Sequence, residues 1–177
     1  MNQKTDVIEN KVAKSGLITL DLQNWYDNSD IIPFDMKDYL HMELILKENQ
    51  FREALEQHDW QQYSGKILAV FCSNDAIIAP WAYMLVVAYA ANYASDITYG
   101  KPKSVSFERF RKRLDAEDWA KYSGKRILLK GCSDIEIPPS AYLYAAQKLL
   151  PYADRLMYGE ACSFVPVYRA SRGSRKH

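Results

Sequence analysis

Laid over itself with a shift of 59 residues, the chain matches in order. Phe51-Arg52 and Leu55 fall on Phe110-Arg111 and Leu114, Asp59-Trp60 on Asp118-Trp119, and Tyr63-Ser64-Gly65-Lys66 on Tyr122-Ser123-Gly124-Lys125. One extra residue near Arg126 brings Cys72-Ser73 over Cys132-Ser133. A compensating deletion then aligns Pro80 with Pro139, Ala82-Tyr83 with Ala141-Tyr142, Tyr93 with Tyr152, and Tyr99-Gly100 with Tyr158-Gly159. Two copies, at about 51–100 and 110–159, fall short of a solenoid, which needs three or more stacked units. The expectation is one pseudo-symmetric domain over residues 1–167.

Each copy reads as αβαβ. Phe51, Ala54 and Leu55, and in the second copy Phe107, Phe110 and Leu114, recur at helical spacing on charged segments. After the Tyr-Ser-Gly-Lys turn come short apolar runs, Ile67 to Phe71 and Ile127 to Leu129, whose even hydrophobicity suits buried strands. Helices are expected to start at Pro80 and Pro139, since proline at the first helical position loses no hydrogen bond there. Second strands follow at Asp96 to Tyr99 and Arg155 to Tyr158. A strand, a crossover helix and a strand imply parallel pairing, so the expected fold is α/β with a mostly parallel sheet. An N-terminal strand at Gly16 to Leu22, a turn at Asn28-Ser29-Asp30 with Pro33, and a helix at Met36 to Leu46 precede the copies.

Charge and composition narrow the function classes. The chain has 23 Lys plus Arg against 22 Asp plus Glu, and 48% apolar residues, which excludes a largely disordered chain. Four cations, Arg169, Arg172, Arg175 and Lys176, sit in a basic tail at 168–177 that is expected to be disordered; without them the body carries −3, which disfavours nucleic acid as a partner. The first sixteen residues lack the apolar core of a signal peptide. The uncharged stretch from Ala76 to Ser95 is divided by Pro80, leaving about fourteen helical residues where a membrane span needs roughly twenty. A cytoplasmic protein without a membrane segment is expected, and the odd count of three cysteines fits a reducing compartment.

In open parallel sheets ligands bind beyond the carboxyl ends of the strands. The strand assignment puts Cys72, Cys132 and Cys162 there, each followed by serine. Thiolates at one rim would suit zinc or an iron–sulfur cluster, with Asp75, Asp134, Glu160, His41 or His58 as a fourth ligand. No Cys-x-x-Cys pair supports this, and a small buried cysteine at a strand end is the plainer reading. A cysteine nucleophile of a hydrolase or transferase would have to borrow His41 or His58 from the N-terminal third, because the second copy has no histidine. His58 stands where the second copy has Glu117, as expected of a solvated helix end, and the Asp-Trp pairs fit structural corners. Neither GxGxxG nor GxxxxGK[ST] occurs.

The pieces KVAKSGLITLDL, FDMKDYL, PWAYML, KGCSDIEIPPSAY and YGEACSFVPVY, spread from about Val12 to Tyr168, resemble an uncharacterised bacterial family, domain of unknown function 2480. The resemblance brings no activity. It implies genes that often lie near iron–sulfur assembly genes, hence an accessory role with an iron–sulfur assembly partner. Two further readings stand beside a thiol site: a non-catalytic module that binds a partner or a second copy as a homodimer, and the cysteine-dependent enzyme.

Overall fold

Strands form where the short apolar runs lie. The computed structural model describes residues 16–74, 76–130 and 134–171. Its strands are β1 (Leu17–Leu20), β2 (Ile31–Asp35), β3 (Ile67–Phe71), β4 (Asp96–Tyr99), β5 (Arg126–Lys130), β6 (Arg155–Glu160) and β7 (Ser163–Arg169). Four α-helices accompany them among the described residues: α1 (Glu48–Gln57), α2 (Pro80–Ala90), α3 (Pro102–Asp115) and α4 (Pro139–Leu149). Single 3-10 turns follow the first two strands and precede β3 and β5: η1 (Leu22–Trp25), η2 (Met36–Tyr39), η3 (Trp60–Tyr63) and η4 (Trp119–Tyr122).

The α/β class and the mostly parallel pairing are those the sequence indicates, but the strands are divided between two sheets. One has the order β2-β3-β4, all parallel; the other has the order β1-β5-β6-β7, parallel except for the β6–β7 hairpin. The chain accordingly forms two compact units. The inner unit is Asp27–Arg109; the outer one, of which residues 16–26 and 110–171 are described, begins before it and resumes after it. Helix α3 carries the chain from the inner unit back into the outer one.

In the inner unit β3 alternates between two apolar faces. Leu68 and Val70 join Phe34, Phe51, Leu55, Trp60 and the α2 residues Ala82, Val86 and Ala90, while Ile67 and Ala69 meet Val105 of α3. Phe51 and Leu55, four apart on α1, are at most 1% exposed, which is worth about 1.5–3 kcal/mol each in water removed from apolar surface. The outer unit buries Ile127, Leu128 and Leu129 of β5 with Phe110, Leu114, Leu149 and Leu156. Both crossover helices turn a stripe of small residues inward, Ala82 and Ala90 in α2 and Ala141 and Ala145 in α4, all fully buried.

A corner built the same way precedes each central strand. Asp59 accepts the Gln61 N–H (3.1 Å) and Trp60 Nε1 donates to the Leu55 carbonyl (2.8 Å); Asp118 accepts the Ala120 N–H (3.1 Å) and Trp119 Nε1 donates to the Leu114 carbonyl (2.7 Å). Gly65 and Gly124 then hold φ of 71° and 69°, a left-handed turn that other residues adopt at a cost, and their N–H groups donate to the Tyr93 and Tyr152 carbonyls.

Elsewhere the structure departs from expectation. Pro33 lies inside β2, not in a turn, and pairs with Ala69; β2 is an edge strand, where a missing N–H is tolerated. Met36 to Leu46 is not a helix but η2 followed by a tight turn closed by the His41–Ile45 bridge, because its apolar residues keep no helical period. The basic tail starts later than position 168: Tyr168 and Arg169 belong to β7, and residues 172–177 lie outside the described residues. No helix among the described residues is long and apolar enough to cross a membrane.

Candidate functional site

The carboxyl end of the outer sheet gathers charge. Asp21, the N-cap of η1, accepts the Gln23 N–H (3.1 Å) and the Lys130 ammonium (2.8 Å). Gln23 in turn receives the Asp134 N–H on its side-chain oxygen (3.1 Å), so the loop after β5 is tied down to η1. The Asp21 hydrogen bond raises the Lys130 pKa against burial, and the charges of Asp21, Glu160 and Asp134 add to it. Tyr142 donates to the Lys130 carbonyl (3.2 Å) and packs edge-on against Tyr158, with ring centroids 5.4 Å apart.

At the carboxyl end of the inner sheet the corresponding carboxylate, Asp35, caps η2 through the Lys37 N–H (3.0 Å) and accepts the Ser73 N–H (3.0 Å). Burial opposes its charge, but Ser73 and these N–H donors hold its pKa below the usual carboxylate value. Ser73 follows Cys72, so the serine of this Cys-Ser pair serves the loop anchor. Cys72 itself is partly buried against the inner core. Tyr83 lies beside it, its hydroxyl pKa raised by burial and by Tyr99 and Cys72. Next in the loop, the Asn74 amide donates to the Glu43 carbonyl (3.1 Å). Met42 and Glu43 hold φ of 52° and 60°, unusual for side chains of that size.

Cys162 sits in the two-residue turn of the β6–β7 hairpin and is exposed. The single rim expected for the thiols is therefore not one sheet edge: Cys72 follows a strand of the inner sheet and Cys162 one of the outer. Cys132 and Asp75 lie outside the described residues. Among the described residues, no three His, Cys, Asp or Glu side chains form a group that could hold a metal ion.

His58 is not a solvated helix end. Tyr39 Oη lies 3.1 Å from its Nδ1 and Tyr63 Oη 2.8 Å from its Nε2, so a neutral ring can donate to one hydroxyl and accept from the other. Phe34 and Trp60 pack around it, at 5.5 and 4.8 Å between centroids. Burial lowers the His58 pKa despite the Asp59 charge, and pushes Tyr39 up to about 12, with Tyr63 and Asp38 adding to the latter. Sequence reasoning missed this chain because Tyr39 lay in a segment assigned to a helix. Also missed were Arg109, which binds both Asp27 (2.7 Å) and Asp96 (2.6 Å), and an open cavity of about 470 Å³ beside His58.

The model of a family described as "Protein of unknown function (DUF2480)" matches residues 6–170. The chain belongs to the DUF2480 family. No curated protein matches this DUF2480 chain, and no solved structure matches it.

Proposed function

We propose that this DUF2480 protein is a non-catalytic interaction module that pairs with a second copy of itself through the apolar turn beside the inner sheet. The observation that carries the reading is the exposure of Met42 (78%), Leu44 (69%) and Ile45 (56%) on one turn. Ile77, 96% exposed, projects from the loop that Asn74 ties to that turn. Single exposed apolar residues are ordinary, whereas several on adjoining loops mark a contact surface. A two-fold dimer sets a patch against its own copy, so a charged patch repels itself and an apolar one does not. The near-zero net charge of the chain adds little further repulsion. The left-handed φ of Met42 and Glu43 costs on the order of 1–3 kcal/mol per residue and holds the apolar side chains outward. Sedimentation velocity over a range of concentrations tests it. The wild type is expected to show a monomer–dimer equilibrium, and the triple substitution Met42→Ser, Leu44→Ser, Ile77→Ser to stay monomeric. A wild-type monomer at every concentration refutes the reading.

A second reading keeps the thiols of the outer unit, Cys132 and Cys162, with Asp134 or Glu160, as ligands of zinc or an iron–sulfur cluster, in the accessory role that the family resemblance implies, and leaves Cys72 of the inner unit out. What favours it is that Cys162 follows the carboxyl end of β6 and is exposed. Protein purified anaerobically would carry iron and sulfide, or zinc, in fixed proportion, and Cys162→Ser would lose it. Metal-free protein under those conditions ends this reading without touching the first.

A further inference from the structure

Helix α2 is apolar on every side. Ala82, Val86 and Ala90 are buried against the inner sheet, and Trp81, Tyr83, Leu85 and Tyr89 pack partly against the same core. The remaining face, Met84, Val87, Ala88 and Ala91 at i, i+3, i+4 and i+7, is exposed, Met84 by 70% and Val87 by 45%. No charged residue occurs between Ala76 and Ser95. A surface helix ordinarily turns charged and polar residues outward, and one that is apolar all round is covered on both sides.

The outer unit supplies the contrast. Helix α4 has the same proline start and the same eleven-residue length, but its ninth and tenth residues are Gln147 and Lys148 where α2 has Ala88 and Tyr89. The Lys148 ammonium pairs with Asp115 (2.5 Å). The outer helix thus meets water with polar groups, and the four residues of the open α2 face include none.

Area points to the occupant. Each side of a standard interface buries about 800 Å², a little over half of it apolar, which asks for roughly 450 Å² of apolar surface per copy. The turn residues Met42, Leu44, Ile45 and Ile77 offer on the order of 300 Å². The open face of α2 offers on the order of 150 Å² more, and Ile77 leads into it, three residues before Pro80. The face is also complementary to itself. Set antiparallel to its own copy about a two-fold axis between Val87 and Ala88, α2 places Met84 over the partner's Ala91 and Val87 over the partner's Ala88, a large side chain against a small one at every step.

We propose that the open face of α2 packs antiparallel against α2 of a second copy, as the helical half of the self-association surface that begins at the Met42 turn. The proposal rests on the self-association reading and adds to it a helix and an orientation.

Sedimentation velocity and NMR of the full-length protein test it. Val87→Lys, at an exposed position, sets two ammonium groups against each other across the axis and is expected to weaken dimerisation by about tenfold or more. Leu143→Lys, at the position of α4 that matches Met84, is expected to leave it unchanged. In a dimeric wild-type sample an NOE is expected between the Met84 and Ala91 methyl groups. Seven residues of helix hold these about 10 Å apart within one chain, so the contact arises only between copies. A Val87→Lys protein that dimerises like the wild type, equal weakening by Leu143→Lys, or no such NOE in a dimeric sample overturns the α2 packing and leaves the turn reading standing. Dissociation by Val87→Lys, beside a Met42→Ser, Leu44→Ser, Ile77→Ser protein that still dimerises, overturns the turn reading alone. A wild-type monomer at every concentration overturns both. The NOE, read on the unaltered chain, decides the matter even if Val87→Lys disturbs the fold.

Discussion

Truncating Arg109 to alanine would take the guanidinium away from the buried Asp27 carboxylate, whose Ser29 contacts remain, and from the Asp96 carboxylate at the start of β4. Loss of one partner of a buried pair is costly, and Arg109→Ala is expected to destabilise the inner unit by about 2–4 kcal/mol in denaturant unfolding. The pair also sets an acid limit. Burial works to raise the Asp27 pKa, but the hydrogen bonds from Ser29 and Arg109 outweigh it and bring the value from 3.8 to about 2. Because the folded value lies below the unfolded one, this contribution is complete above pH 3.8 and lost as pH falls through about 2. It amounts to about 2 kcal/mol. Acid titration of the wild type and of Arg109→Ala should show the variant unfolding at a higher pH; identical acid midpoints would refute the assignment. Nothing local in the sequence announces this contact, since 82 residues separate its partners.

Elements were legible where local chemistry alone decides them. Pro80 and Pro139 start α2 and α4, and β3 to β6 fall on the runs marked by Ile67, Asp96, Ile127 and Arg155. The Asp-Trp corners also followed from spacing, and they carry a prediction. Trp119→Phe keeps most of the ring packing but removes the indole donor to the Leu114 carbonyl, which then retains only the longer bond from the Glu117 N–H (3.3 Å). A loss of about 0.5–1.5 kcal/mol is expected in the outer unit, read as faster hydrogen exchange in β5 with β3 unchanged. Equal protection in β5 of both proteins would count against the corner as a structural tie. The strands that stayed hidden, β2 and β7, are edge strands, each with a proline, Pro33 or Pro166. Proline argues against a central strand but is tolerated at an edge, and edge status is a tertiary property no local pattern contains.

At the scale of the whole molecule, the division into two sheets depends on which strand β1 chooses. It pairs with β5, Leu17 to Leu20 lying beside Arg126 to Leu129, while β2 takes the place beside β3. Either apolar run could cover either central strand on pattern alone, so the nesting was not readable in advance, nor was the separation of Cys72 from Cys162 onto different sheets. Deleting residues 1–20 is expected to leave β5 with an uncovered edge and strip exchange protection from β5 and β6, while β3 and β4 keep theirs. Uniform loss across both sheets would mean that the units do not fold as separate bodies.

The same threading imposes an order on synthesis. When β1 leaves the ribosome its partner is still more than a hundred codons away, whereas every strand of the inner sheet lies in the interval between them. At ordinary elongation rates that gap lasts roughly 5–20 s. During it the inner unit can finish folding with β1 still waiting, so a pause in translation within the outer unit's second segment would prolong the exposure of β1 and leave the inner unit untouched.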